Sequence, residues 1–267
     1  MTRAWTQRDP GPVRGVASFL VWVAWQLLVI LWTPVVGIAL LLTGWWDRPR
    51  WIAGRVFRFG ARILVALNPF WSVRVEGHVP KRGSHPFVAV ANHESLADIV
   101  LIGWLPWDMK WLSKASIFRV PFLGLMMRMA GDISVERGDA SSRVTSYGAL
   151  RRWLGRGASI MIFPEGTRSR TSEMLPFRSG AFRLAIETGR PIIPLAVHGT
   201  RTAIRKGSMK FGNADVVVRI LDPVPTANLG PDDLDELRAA VRRNIEDARA
   251  ALTREYGTTS DSGTPAS

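Results

Sequence analysis

Residues 87–98 read Phe87-Val88-Ala89-Val90-Ala91-Asn92-His93-Glu94-Ser95-Leu96-Ala97-Asp98. A short, unbroken apolar run is what a strand covered on both faces requires. The polar turn after it opens a helix over 96–104, with Asp98 in the first turn, where a negative charge favours the helix dipole. The same order recurs downstream. Apolar residues 159–163 lead into Pro164-Glu165-Gly166-Thr167-Arg168-Ser169, and a helix follows over 180–188. Further strands are expected at 71–76, 109–113, 132–136, 192–197 and 216–221, and further helices at 117–129, 141–154 and 231–256. Alternation of this kind predicts an α/β domain over 68–257, a mixed, partly parallel sheet flanked by helices. Residues 258–267 are small and polar and read as a disordered tail.

Both turns carry chemistry-bearing side chains. Residues five apart on a regular helix point about 140° from each other. His93 therefore meets Asp98 only if it stands in the loop before the helix. A carboxylate on one ring nitrogen fixes the tautomer and leaves the other nitrogen free as a base. Taken alone, the pattern equally describes a surface histidine beside a helix-capping Ser95. In the second turn, arginines, hydroxyls and the helix start at Phe177-Arg178-Ser179-Gly180 suit a phosphate monoester. Alone, that turn is also a Gly-, Pro- and Ser-rich loop with solvated arginines.

The N-terminal quarter follows different rules. Residues 15–46 hold no charged side chain, with Arg3, Arg8 and Arg14 before them and Arg48, Arg50 and Arg55 after. Uncharged runs beyond about 18 residues read as membrane segments. Pro34 near the centre predicts a break, and basic flanks at both ends favour a re-entrant hairpin over one crossing. Residues 51–67 place apolar side chains at helical spacing beside a stripe of Arg55, Arg58 and Arg62, which reads as an interfacial helix meeting lipid phosphates. Residues 1–67 are thus expected to form a membrane-embedded helical motif.

Composition sets the outer bounds. The chain has 267 residues, 35 Lys+Arg against 22 Asp+Glu, a net charge of +13 and no cysteine. Disulfides, thiolate nucleophiles and cysteine zinc sites are excluded. The charge calls for a polyanionic partner, either nucleic acid or anionic lipid. Arginines that flank an apolar run favour anionic membrane lipids and no nucleic acid.

Four blocks, taken together, resemble the 1-acyl-glycerol-3-phosphate acyltransferase family over residues 75–221. They are Asn92-His93-x4-Asp98, then Gly131-Asp132-Ile133-Ser134-Val135-Glu136-Arg137, then Phe163-Pro164-Glu165-Gly166-Thr167-Arg168-Ser169, then Ile192-Ile193-Pro194-Leu195. The second block departs from the usual pattern at Ser134 and Glu136. The resemblance implies transfer of a fatty acyl group from an acyl-CoA or acyl carrier protein thioester to the sn-2 hydroxyl of lysophosphatidic acid, with no cofactor and no metal. Another lysophospholipid or a lyso-aminolipid as acceptor, or a non-catalytic anionic-lipid-binding protein, are the alternatives. It implies His93 as general base, Asp98 as its orienting partner, and Arg137, Glu165, Gly166, Thr167 and Arg168 as the acceptor site. Lys114, Arg178 and Ser179 are further phosphate candidates. Backbone N–H groups near His93 or around Gly166 are candidate oxyanion donors. The stretch 117–129 is read as a core helix with one edge on an acyl groove, and the block around Pro194 as packing. The expected location is the cell membrane, with the catalytic domain on the cytoplasmic face.

Overall fold

A computed structural model describes residues 12–80, 86–169, 171, 173–204 and 210–257. The tail expected at 258–267 and the arginines at 3 and 8 lie outside the described residues. Seven strands form one sheet: β1 (Trp71–Gly77), β2 (Val88–Ala91), β3 (Met109–Lys114), β4 (Ile133–Val135), β5 (Ser159–Ile162), β6 (Ile192–His198) and β7 (Ala214–Ile220). Their order is β1-β7-β6-β2-β5-β3-β4. Only the β6–β7 pair is antiparallel; every other neighbouring pair is parallel. The expected mixed sheet is therefore present, with each strand within two residues of its expected bounds.

Seven α-helices cover the sheet: α1 (Pro12–Thr43), α2 (Trp51–Ala66), α3 (Ala97–Gly103), α4 (Leu123–Ala130), α5 (Ala140–Gly155), α6 (Gly180–Thr188) and α7 (Leu234–Tyr256). Strand alternation divides the interior in two. Ala89 and Ala91 join α1 and α3 in one core, and Val88 and Val90 join α5, α6 and α7 in the other. Helices α2 and α4 pack on α1, so α1 to α4 occupy one face and α5 to α7 the opposite face. Pro194 is buried in β6 beside Val90, a packing position.

Three expectations for the helices are corrected. Helix α1 runs unbroken through Pro34, so 15–46 contains no hairpin; the chain turns only at 44–50 and pairs α1 with α2. Proline removes one backbone donor. Packing holds the two halves in line, with Val36 fully buried and Gly37 3.7 Å, measured from an added Cβ, from the Met129 sulfur. The indole N–H groups of Trp25 and Trp32 donate to the carbonyls of Leu64 and Val56, fastening α1 along α2. At α1's other end, Trp22 and Trp25 pack on Trp71 and Phe211.

The arginine stripe of α2 does not face outward as a unit. Arg58 is 8% exposed, pairs with Asp132 and donates to the Met109 carbonyl at 2.9 Å. Arg55 and Arg62 donate to the carbonyls of Pro106 and Trp104, both at 3.0 Å. These donors pin α2 to the loop after α3 and to the sheet edge. Close approach is possible because Gly54 lacks a Cβ, which would sit 2.3 Å from the Asp108 carboxylate. Asp108 in turn pairs with the fully buried Lys110.

The helix expected over 117–129 is two pieces, a 3-10 turn at Ile117–Arg119 and α4. Pro121 disfavours helical backbone at Val120, which is extended at φ −68°, ψ 122°, and Phe122 takes φ 60°. Of this stretch only Ile117 reaches the central cavity.

Candidate active site

Because β2, β3, β4 and β5 run parallel, their C-terminal ends open on one edge of the sheet. That edge is where open α/β sheets place their sites. His93 follows β2, Lys114 ends β3, Arg137 follows β4, and Glu165 to Arg168 follow β5. A cavity of about 760 Å³ runs along this edge, and His93, Lys114, Arg137, Gly166, Thr167, Arg168, Arg178 and Ser179 all line it.

The histidine loop is tied down at each residue. Asn92 exchanges two hydrogen bonds with the Val197 backbone in β6, at 2.8 and 2.9 Å. His93 Nδ1 lies 2.8 Å from Asp98 Oδ2, which also accepts the N–H groups of Glu94 and Ser95 at 2.7 and 2.9 Å. With the carboxylate ionised, Nδ1 carries the proton and Nε2 keeps its lone pair. The Phe163 ring stacks on the imidazole, with centroids 4.0 Å apart and planes 15° from parallel. The ring is thus clamped from its edge by Asp98 and from its face by Phe163. Phe163 opens the third sequence block, yet nothing in its one-dimensional pattern marks it as a partner of His93.

Glu165 does not line the cavity, and its expected place in an acceptor site is corrected. It is 3% exposed; Oε1 accepts the His93 N–H at 2.8 Å and Oε2 accepts the Leu175 N–H at 2.9 Å. Both oxygens are spent on backbone, so Glu165 joins the two catalytic turns. Ser169 completes that joint, its N–H donating to the His93 carbonyl at 2.8 Å. Burial raises the Glu165 carboxyl pKa, against the pull of these two amides and of His93.

Gly166 lines the cavity by yielding space. Its N–H donates to the Phe163 carbonyl, its φ is +72°, and a Cβ there would lie 2.7 Å from Arg178 Nε. Arg178 thereby comes across the turn toward Arg137. Arg137 has its pKa lowered by partial burial and by the positive charge of Arg178. Two guanidiniums facing one space, with Arg168 beside them, form a ready anion site.

The amides at His93, Glu94, Ser95 and Gly166 all have protein acceptors, so of the N–H groups expected near His93 or around Gly166, those of Thr167 and Arg168 are without an acceptor among the described residues. Among the described residues, no group of three or more acidic or histidine side chains converges as a metal site.

Glu94, one of the four residues between His93 and Asp98 in the first block, is also buried, its side chain 9% exposed. It pairs with Arg249 of α7 and lies 3.9 Å from Arg201. Burial pushes its carboxyl up to about 7, against Arg249 and Arg201 and with help from Asp98 and Glu165. The cavity also takes in Arg143 and Tyr147 of α5 and Arg183 and Glu187 of α6. Their four-residue spacing was visible, but nothing in it pointed to a site across the sheet.

A buried His–Asp pair facing an arginine-lined cavity suits general-base chemistry on an anionic substrate. The family model described as Acyltransferase matches residues 72–198, which hold both turns. A 1-acyl-sn-glycerol-3-phosphate acyltransferase of Saccharomyces cerevisiae is 32% identical over 217 residues, 80% of this chain and 70% of its own length. The enzyme of that name from Salmonella typhimurium is 32% identical over 193 residues, 71% of this chain and 78% of its own length. The crystal structure of PlsC, the 1-acyl-sn-glycerophosphate acyltransferase of Thermotoga maritima, has the same fold: TM-score 0.74 at 23% identity, covering 90% of this chain and 98% of that one. The chain belongs to the 1-acyl-sn-glycerol-3-phosphate acyltransferase family and is a glycerolipid O-acyltransferase.

Proposed function

We propose that the enzyme moves a fatty acyl group from an acyl-CoA or acyl carrier protein thioester to the free sn-2 hydroxyl of lysophosphatidic acid, forming phosphatidic acid. The observation that carries this is the His93–Asp98 pair at 2.8 Å, opening on a cavity where Arg137, Arg168 and Arg178 converge. The acceptor phosphate sits among these arginines and holds the glycerol against His93. His93 Nε2 takes the hydroxyl proton as the oxygen attacks the thioester carbonyl. The C–O bond forms and the C–S bond breaks, and the imidazolium returns its proton to the departing thiolate. Asp98 keeps the imidazole in the required tautomer and stabilises the imidazolium. The tetrahedral oxyanion is met by the N–H groups of Thr167 and Arg168, two cavity-lining residues whose amides have no acceptor among the described residues.

The acceptor is a membrane lipid, and the fold supplies a matching surface. Residues 15–43 are apolar and long enough to cross a membrane, yet one side of α1 is docked on the domain. Its other side leaves Phe19, Leu20, Leu31, Leu41 and Leu42 more than half exposed. Trp45 and Trp46 follow at the turn, 83% and 54% exposed, where indoles favour the headgroup zone. We read this side as immersed in the cell membrane, with the catalytic domain on the cytoplasmic face and no nucleic-acid partner.

His93→Ala tests the mechanism. General-base catalysis of this type supplies about 10²–10⁴-fold, so transfer to lysophosphatidic acid in purified membranes should fall by that factor while sedimentation with membranes is unchanged. Undiminished turnover would refute the role of His93. Transfer to other lysolipids but not to lysophosphatidic acid would overturn the acceptor.

A further inference from the structure

The cavity continues past the strand ends. Its lining begins at Leu96, Ile99 and Ile117, on the side of the sheet that carries α1, and passes His93. It ends at Tyr147 and Leu150 of α5, on the opposite side. A molecule seated along it therefore crosses the edge of the sheet and reaches His93.

The two ends differ in chemistry. The end beside α3 is apolar. The far end lies between α5 and α6, where Arg143 and Tyr147 are one turn apart on one helix and Arg183 and Glu187 one turn apart on the other. Tyr147 responds to the charges of Glu187 and Arg183, so the two helices face each other there. Among the described residues Glu187 is the single carboxylate lining the cavity, and Arg151 engages it at 3.7 Å. Arg143 and Arg183 form no ion pair among the described residues. Two arginines are thus left at the mouth of a cavity whose acceptor phosphate already has Arg137, Arg168 and Arg178.

Two substrates must meet at His93, and they arrive from different phases. The lysolipid is held in the bilayer by its chain, so it enters from the α1 side. The thioester's carrier is water-soluble, so its arm leaves on the side away from α1, between α5 and α6. We propose that Arg143 and Arg183 form a second anion subsite, which binds the phosphate of the donor's 4′-phosphopantetheine arm. That phosphate is common to acyl-CoA and acyl carrier protein thioesters, and the assignment rests on the acyl-transfer reading above.

The test uses the full chain in detergent, first by binding and then by turnover. Calorimetry compares S-hexadecyl-4′-phosphopantetheine with S-hexadecyl-pantetheine, two thioethers that differ only in the 4′-phosphate. Wild type should prefer the phosphorylated compound at least tenfold, and Arg143→Ala/Arg183→Ala should lose that preference; retention of the preference overturns the subsite. This readout needs no acceptor, so it stands apart from any failure of transfer to lysophosphatidic acid. In turnover, the double variant should raise KM for palmitoyl-CoA and palmitoyl-acyl carrier protein alike, at least tenfold, and leave KM for the lysolipid unchanged. A rise confined to the CoA donor would move the contact to the nucleotide phosphates and overturn the shared-arm assignment. An equal rise in the lysolipid KM would overturn a separate donor subsite. Both side chains are exposed, and Arg143→Lys/Arg183→Lys should restore most of the preference by keeping the charge.

Discussion

Replacing Glu94 with Gln should stabilise the protein at pH 8, although Glu94 sits in an ion pair. Its side chain is 9% exposed, with Arg249 beside it and Arg201 at 3.9 Å. Attraction to both guanidiniums lowers its pKa, but burial outweighs them, and the carboxyl titrates at about 7 against an ordinary 4.5. The folded chain therefore keeps a proton that the unfolded chain releases, and stability falls as pH rises from about 4.5 through about 7. At about 1.4 kcal/mol per pH unit, that interval amounts to about 3 kcal/mol lost by pH 8. Gln has a similar shape, still accepts from Arg249 and cannot ionise, so it escapes the loss. The two arginine side chains are only partly buried, at 17% and 23% exposed, which limits the cost of removing the charge beside them.

The assay is thermal unfolding of the purified protein in detergent at pH 5 and pH 8. A chain of this size shifts by about 2–4 °C per kcal/mol, so Glu94→Gln should gain about 6–12 °C at pH 8. Close to pH 5, where wild-type Glu94 is protonated, the two proteins should unfold together. A variant that melts below wild type at pH 8 would refute the reasoning. It would mean that the pairs with Arg249 and Arg201 outweigh desolvation, and that Glu94 is ionised in the folded enzyme throughout.

Three further perturbations probe the site and its supports. Glu165→Gln keeps one carbonyl acceptor for two backbone N–H groups; leaving one unmet costs about 1–3 kcal/mol. The variant should melt lower and lose kcat more than KM, whereas a rise in lysolipid KM alone would return Glu165 to the acceptor site. Gly166→Ala places a Cβ 2.7 Å from Arg178 Nε in a left-handed turn at φ +72°, which costs about 1–2 kcal/mol. Its lysolipid KM should rise several-fold in steady-state assays, and an unchanged KM would separate Arg178 from acceptor binding. Arg58→Met strands the buried Asp132, and breaking such a pair costs about 3–5 kcal/mol. Thermal unfolding should show that loss while binding to anionic vesicles persists; weakened binding at unchanged stability would restore the lipid-phosphate role of Arg58.

The strand–turn–helix units were legible because burial on both faces of a sheet leaves a continuous apolar run, as at Val88–Ala91 and Ser159–Ile162. The His93–Asp98 pairing was legible because five residues across a loop and first turn allow little else. What the sequence concealed was direction. Glu165 sits among site residues in the chain yet turns inward, because two backbone amides, His93 N–H and Leu175 N–H, compete successfully for its oxygens. Glu94 and Arg249 are 155 positions apart. Such a contact is set by how α7 packs on the sheet, which no local spacing encodes. Pro34 failed as a breaker because the Trp25 and Trp32 anchors to α2 come from tertiary packing.

Helix α2 shows how the membrane reading survives the loss of its original support. Its arginines were expected to meet lipid phosphates, yet Arg58 is 8% exposed and bound to Asp132, while its neighbour Phe59 is 49% exposed. Trp51, at the start of the same helix, is 42% exposed. A helix on a water-soluble surface does the reverse: it buries the ring and solvates the guanidinium, because burying a charge costs far more than exposing a phenyl ring. Here Arg58 is held inside the protein by a carboxylate and a carbonyl, both bound through Nη2, so its charge is neutralised without water. Phe59 instead stacks on Trp32 of α1 at 6.1 Å and continues the exposed apolar side of that helix. An outward-facing surface with aromatic and leucine side chains exposed, beside a buried and neutralised arginine, minimises its free energy against hydrocarbon rather than water. If this face meets a bilayer as proposed, the arginines of α2 are not what draws it there, because their guanidiniums are bound to protein carbonyls and to Asp132. On the proposed membrane reading its apolar area does that, and the arginines of α2 hold that helix to the sheet that carries His93.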